Sequence, residues 1–197
     1  MSLILVSGPA ADELPVSLQE IKDHCRVSGD DDDTYLGSLL KVASTIAEDI
    51  TRRRFLTQTW DYFLEDWPCS SYLEIPYPKL QSVTTVKYKD GAGALVTWSN
   101  SEYEVDANAH VGSVRLNPGF TAWPSLYTNS TVDRVQIRFV CGYGAATLVP
   151  DPIKHAIKFL VALWYRDREP VALGMAVNKI PLTFDLLLAP YRIYNFA

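Results

Sequence analysis

The chain has 197 residues, enough for one domain or two small ones with a real core. Hydrophobic residues make up 48% and charged residues 21%, and no apolar run approaches the roughly 18–20 residues that a membrane-spanning helix needs. The formal charge of −5 argues against a protein that coats nucleic acid by bulk electrostatics, leaving only a local basic patch as a route to such binding. Cys25, Cys69 and Cys141 are widely spaced and odd in number, which fits buried thiols in a reducing compartment better than a disulfide framework.

In chain order, residues 1–14 show no periodicity and read as an arm or loose edge segment. They lack the basic n-region and apolar stretch of a signal peptide. Ser17-Leu-Gln-Glu20 is a capping box, opening a short helix to about Val27 with Leu18, Ile21 and Cys25 on its buried face. Ser28-Gly29 breaks it, and Asp30 to Asp33 lead into a second helix from about Asp33 to Arg54. Its stripe is Leu36, Leu39, Leu40, Ala43, Ile46, Ala47 and Ile50. Two antiparallel helices with a short acidic connector are expected.

After Arg54 the period changes from helical to alternating. Strands are expected over Gln58–Trp67, Tyr72–Ile75, Leu80–Tyr88 and Ala94–Trp98, the last two flanking the glycine turn Asp90–Gly93. Tyr103–Val105 and Ser113–Leu116 read as a further short pair. Val132–Val140 is the clearest strand, with Val135, Ile137 and Phe139 alternating against Arg134, Gln136 and Arg138.

Gly142-Tyr-Gly144 then turns into an amphipathic helix. Asp151 is placed to cap it, Pro152 sits in its first turn, and Ile153, Ile157, Leu160, Val161 and Trp164 recur on one face. Pro170 is expected to stop it. Leu182–Leu188 reads as a last helical turn before a tail, Pro190–Ala197, rich in aromatic and aliphatic residues. Such a tail suggests packing on a partner.

The expected fold is therefore α+β. A helical body made of two N-terminal helices and one C-terminal helix carries an inserted antiparallel β-domain of six or seven short strands. The divisions are 1–57 for the arm and helical pair, 58–144 for the β-domain, and 145–197 for the returning helix and tail.

Candidate chemistry is sparse. Asp30–Asp33 has carboxylates for a divalent cation, but a calcium loop needs a closing glutamate at its twelfth position, where Lys41 stands; a solvated loop that favours the helix start is the plainer reading. Gly142-Tyr-Gly144 lacks the third glycine and immediate helix of a dinucleotide loop, so a turn using positive φ is expected. His24, His110 and His155 accompany no G-x-S-x-G, H-E-x-x-H or C-x-x-C motif. Glu102 with Glu104, and Glu65 with Asp66, are the nearest carboxylate pairs for a hydrolase, but neighbours on a strand point to opposite faces. Arg52-Arg53-Arg54 has the charge to bind phosphate, while complementing a helix C-terminus is the cheaper explanation. The five Trp and eleven Tyr offer base-stacking surfaces or, more plainly, core and interface packing.

The order of motifs resembles the head–tail connector, or neck adaptor, proteins of tailed bacteriophages and gene transfer agents. Three stretches carry the likeness: Ser17–Val27 with Asp30–Asp33 and Tyr35–Leu40; Ile50–Trp60 across Arg52–Arg54; and Gly142–Gly144 with Val149-Pro150, Ile153, Ala156, Trp164-Tyr165 and Arg168-Glu169. Leu186–Arg192 is a weaker fourth. Residues 66–131 carry no distinctive motif.

The resemblance implies a structural protein of the virion neck, assembled in the host cytoplasm, that does no chemistry and holds no cofactor or metal. It implies a ring of about a dozen copies on the portal vertex. Its expected partners are other copies of itself, the portal protein and a downstream neck or tail protein, with no membrane, and DNA passes through the lumen without sequence-specific binding. The expected portal and subunit contacts are Ile153, Ile157, Leu160, Trp164, Leu186, Leu187, Tyr191, Arg192, Tyr194 and Phe196. The competing readings are a ligand- or carbohydrate-binding β-module with helical flanks, a DNA-packaging accessory protein, and a small hydrolase. A concave aromatic cleft would favour the first of these, salt-dependent DNA binding the second, and an acid–base pair with shifted pKa values the third.

Overall fold

In the computed structural model, which describes residues 1–10, 12–167 and 182–194, the capping box is present in full. The Ser17 hydroxyl accepts the Glu20 amide at 3.2 Å, and the Glu20 carboxylate accepts the Ser17 amide at 2.9 Å. It opens α1 (Leu18–Cys25). The second helix, α2 (Asp33–Thr51), stops three residues before the expected Arg54. Both helices end on an arginine in the left-handed region, Arg26 (φ 57°) and Arg52 (φ 54°), where glycine is the usual occupant. That choice is why the sequence shows no stop signal at Thr51.

The described residues divide into two compact units: a β unit of residues 1–10 and 56–143, and a helical unit built from residues 12–55, 144–167 and 182–194. In the helical unit α3 (Asp151–Arg166) returns to pack on α1 and α2. Pro150 is its N-cap residue. Asp151 is already inside the helix and makes no side-chain cap, so it contributes charge to the first turn rather than the expected cap.

Ile153, Ala156, Ile157, Leu160 and Val161 are fully buried, following the 3.6-residue period. Each of the larger ones is worth roughly 1.5–3 kcal/mol on burial. They meet Ile21 of α1 and Leu36, Leu40, Ala43 and Ala47 of α2 in the interior of the unit. A short helix, α4 (Leu182–Leu188), adds Phe184 and Leu188 to that interior. The expected Pro170 stop lies outside the described residues.

The β unit holds two antiparallel sheets. The larger has strand order β1-β2-β8-β4-β5, with β1 at Ser2–Ser7, β2 at Gln58–Leu64, β4 at Leu80–Lys89, β5 at Leu95–Thr97 and β8 at Val135–Cys141. The smaller is β3 (Tyr72–Glu74), β7 (Ser113–Leu116) and β6 (Tyr103–Asp106), in that order. The N-terminal segment is thus an edge strand of the β unit, paired antiparallel with β2 from Ser2 opposite Phe63.

Strand β8 is central, and its alternation decides which face is inside. Val135, Ile137, Phe139 and Cys141 are buried with Tyr62, Leu64, Val86, Trp98 and Val114, while Gln136 and Arg138 face away. It begins at Val135 rather than Val132, because Asp133 takes a positive φ of 48° and leaves Val132 63% exposed. The three cysteines form no disulfide; Cys141 is buried, Cys25 half-buried, and Cys69 exposed, contrary to the expectation of three buried thiols.

Gly142 follows β8 at φ 108°, and its amide donates to the Lys79 carbonyl at 2.9 Å. A Cβ there would lie 2.2 Å from the Leu56 carbonyl oxygen, so both the backbone angle and the space demand glycine. Gly37 in α2 is the opposite case, with nothing within 4 Å of an added Cβ. Gly142→Ala is expected to lose at least about 3 kcal/mol in urea unfolding, whereas Gly37→Ala should gain roughly 0.5–1 kcal/mol.

Candidate assembly surfaces

The helical unit fixes its C-terminal segment through the end of α2. Arg53 is buried and its Nε donates to the Tyr191 carbonyl at 2.7 Å, while the Ile193 amide donates to the Thr51 carbonyl at 3.3 Å. Arg54 pairs with Glu48 at 3.1 Å and Asp49 at 3.5 Å, and the other Glu48 oxygen accepts the Phe55 amide at 2.8 Å. Burial holds the Glu48 carboxyl above its ordinary range against these contacts. Two members of the arginine run are therefore engaged inside the unit. Arg52 instead lines an open groove of about 300 Å³ with Ile50, Arg192, Ile193 and Tyr194.

The expected contact residues fall into two groups. Ile153, Ile157 and Leu160 are wholly buried within the chain's own helical unit, which corrects their assignment as partner contacts: their face is already covered by α1 and α2. Trp164, Leu187 and Tyr191 are half-buried. Leu186 is 65% exposed and Tyr194 72%, and Leu182, one turn before Leu186, is 74% exposed. Arg192 pairs with Asp185 at 2.8 Å beside them. Leu182, Leu186 and Tyr194 are the large apolar side chains that this segment leaves in water. Phe196 lies outside the described residues.

The acidic connector is partly compensated within the helical unit. The Lys22 ammonium sits 2.8 Å from both Asp30 and Asp33, and the Tyr165 hydroxyl donates to Asp32. Among the described residues no cluster of His, Cys, Asp and Glu could hold a metal ion, and no helix is long and apolar enough to cross a membrane.

His24 and His155 both pack on Phe159, at 5.5 and 6.4 Å between ring centroids, while His110 sits exposed in the β unit. Burial, followed by Lys158 and His155, lowers the pKa of His24. Glu102 accepts the Trp98 indole N–H at 2.6 Å, and Glu104 lies opposite Arg115 in the β6–β7 register.

Sequence reasoning also missed a charged constellation in the β unit. Asp61 on β2 accepts both Nε and a terminal nitrogen of Arg138, at 2.8 and 2.7 Å, and the Gln136 amide at 3.0 Å. The Arg138 hydrogen bond draws the Asp61 carboxyl below its ordinary range. The alternation of Gln136 and Arg138 marked the face, but only strand register reveals the partner.

Nearby, a cleft of about 450 Å³ is lined by Tyr62, Glu65, Asp66, Trp67 and Tyr72 among others. Trp67 stacks on Trp123 at 4.9 Å and tilts against Trp98 at 5.6 Å. Its ring is thus committed to the aromatic cluster rather than presented to a flat ligand.

Comparison with known proteins bears on what these surfaces serve. Over its whole length the chain has the fold of subunits in the neck of gene transfer agent particles. It matches a chain from the neck of an empty particle, computed with C6 symmetry, with a TM-score of 0.80 at 21% identity, covering 100% of this chain and 98% of that one. It also matches a chain from the virion of the native particle (TM-score 0.79, 22% identity) and one from the native neck computed with C12 symmetry (TM-score 0.78, 21% identity), each covering 100% of this chain and 98% of that one. The family is more specific: residues 15–84, from before α1 into β4, match the family described as Phage gp6-like head-tail connector protein. The resemblance read from the motif order holds over that segment. No curated protein matches the sequence.

Glu20 joins α1 to α3 through its 3.0 Å ion pair with Lys158. Partial burial pushes its carboxyl up. The Ser17 amide, the Lys158 ammonium and the Ser17 hydroxyl outweigh that and bring it from 4.5 down to about 2. A depressed carboxyl stabilises the fold above its unfolded pKa and loses that contribution as pH falls through the folded one. Urea midpoints should therefore fall between pH 4.5 and 2 more steeply in the native chain than in Glu20→Gln. Identical acid limbs would show that the capping carboxylate carries no such linkage.

Proposed function

We propose that this chain is a structural subunit of a phage or gene transfer agent neck. It assembles as a ring of about a dozen copies on the portal vertex, with genome DNA passing through the lumen. The observation that carries the reading is the fold shared end to end with neck subunits, joined to the connector-family match over residues 15–84. On this reading the chain does no chemistry. Its neighbours are other copies, the portal and a downstream neck or tail component, and it acts in the virion neck after assembly in the host cytoplasm. The formal charge of −5 suits a conduit that must let DNA slide rather than grip it.

The C-terminal segment is the proposed portal-facing contact. Leu182, Leu186 and Tyr194 supply apolar area in water, and Arg52 lines the adjoining groove with positive charge beside the Arg192–Asp185 pair. That combination fits a partner segment carrying apolar side chains and a carboxylate. The buried part of the same segment, Phe184 and Leu188, serves folding instead, so a clean test must leave it intact.

Native mass of the chain, alone and with its cognate portal ring, tests the assignment. A discrete species near a dozen copies is the expected result, and a strict monomer that ignores the portal would overturn the reading. In the same assay, Leu186→Glu with Tyr194→Asp should weaken portal binding at least tenfold while leaving the circular dichroism and melting of the free chain unchanged. Undiminished binding would remove the tail from the interface.

A further inference from the structure

Among the described residues the larger sheet has two open edges, and one lacks the usual protection. Strand β1 runs Ser2-Leu-Ile-Leu-Val-Ser7 without a charge or a proline, and it pairs with β2 on one side only. Ile4 is 55% exposed, Leu5 49% and Val6 44%. Natural proteins blunt such edges with lysine, proline, bulges or very short strands, because a bare row of N–H and C=O groups recruits another strand. Here the irregularity comes only after Leu5, and Ser2 to Leu5 run in unbroken register with β2. The opposite edge of the sheet is β5, short and equally uncharged, with Leu95 50% exposed.

Strand direction narrows what can fill the edge. All adjacent pairs in this five-stranded sheet are antiparallel, so its two outer strands, β1 and β5, run the same way. A second copy that carries the sheet on by rotation brings its β5 alongside β1 in parallel. That contact is head-to-tail and can repeat. Two β1 strands meeting each other would close a two-fold pair and stop there.

Both edge strands start at the same end of the sheet, where Glu65 and Asp66 follow β2 and Lys89 ends β4. The charges there are compensated within the chain, Glu65 by the Met1 ammonium at 3.7 Å and Asp66 by Arg134 at 2.8 Å, so the uncharged apolar edges themselves carry the contact. A few strand residues bury far less than the roughly 800 Å² per partner of a stable interface, so the strands are one component of a wider contact.

We propose that the open edge of β1 is the docking site for the β5 edge of a second copy of this chain, so that the larger sheet continues from subunit to subunit. The proposal rests on the ring reading above.

Hydrogen exchange on the full-length chain, free and assembled, tests it directly. On assembly, amides in residues 2–7 and 95–97 should slow by at least tenfold. Ile4→Lys with Val6→Lys, and separately Leu95→Lys, should raise the concentration needed for assembly at least tenfold without changing the melting of the free chain. A ring that forms with the β1 amides still exchanging freely, or that tolerates all three lysines, overturns the strand contact and leaves the connector assignment standing. Protection of β1 that appears only when the portal is added to a preformed ring gives the edge to another protein and likewise overturns it. A chain that forms no ring in either sample defeats the connector assignment, and this inference with it.

Discussion

The helical unit depends on one non-local burial. Helix α3 begins only at Asp151, yet its face of Ile153, Ala156, Ile157, Leu160 and Val161 is what closes over α1 and α2. Without it the stripe of Leu36, Leu40, Ala43 and Ala47 would face water, and an isolated helical pair of this length is marginal. The long excursion between α2 and α3 costs less than its length suggests. Loop-closure entropy grows only as the logarithm of length, about 0.6 kcal/mol per doubling. The β unit also has its own core around β8, so the excursion is ordered by its own packing.

Much of this was legible in the sequence. The Ser17–Glu20 box and the periodic faces of α2 and α3 needed no tertiary information, because capping and helical spacing are local. The β8 alternation was equally plain. What failed were places where a residue acts against its average preference. Arg26 and Arg52 take the left-handed conformation that glycine normally occupies, and Asp133 interrupts a run that reads as strand. Strand β1 gave no signal because an edge strand exposed over most of its surface needs no alternation.

The contact residues show a different limit. Periodicity identifies an apolar face but not what covers it. Ile153, Ile157 and Leu160 satisfied every criterion for a docking face, and the chain covers them itself. Leu182 and Leu186, one turn apart on the seven-residue α4, carried a much weaker pattern, yet they are the ones in water. The Asp61–Arg138 pair was invisible for a related reason: its partners come from separate strands, and only register brings them together.

The bond from Arg53 to the Tyr191 carbonyl has a thermodynamic consequence. Together with the Ile193–Thr51 hydrogen bond, it makes the ordered tail conditional on a folded α2 terminus. A ligand for the tail thus has high affinity only for the native helical unit, and mass action must raise that unit's resistance to unfolding as the ligand accumulates. At a hundredfold excess over the dissociation constant the gain is about 2.7 kcal/mol. Incorporation into a larger structure would thereby act as a thermal safeguard, leaving unincorporated copies the more readily unfolded and cleared.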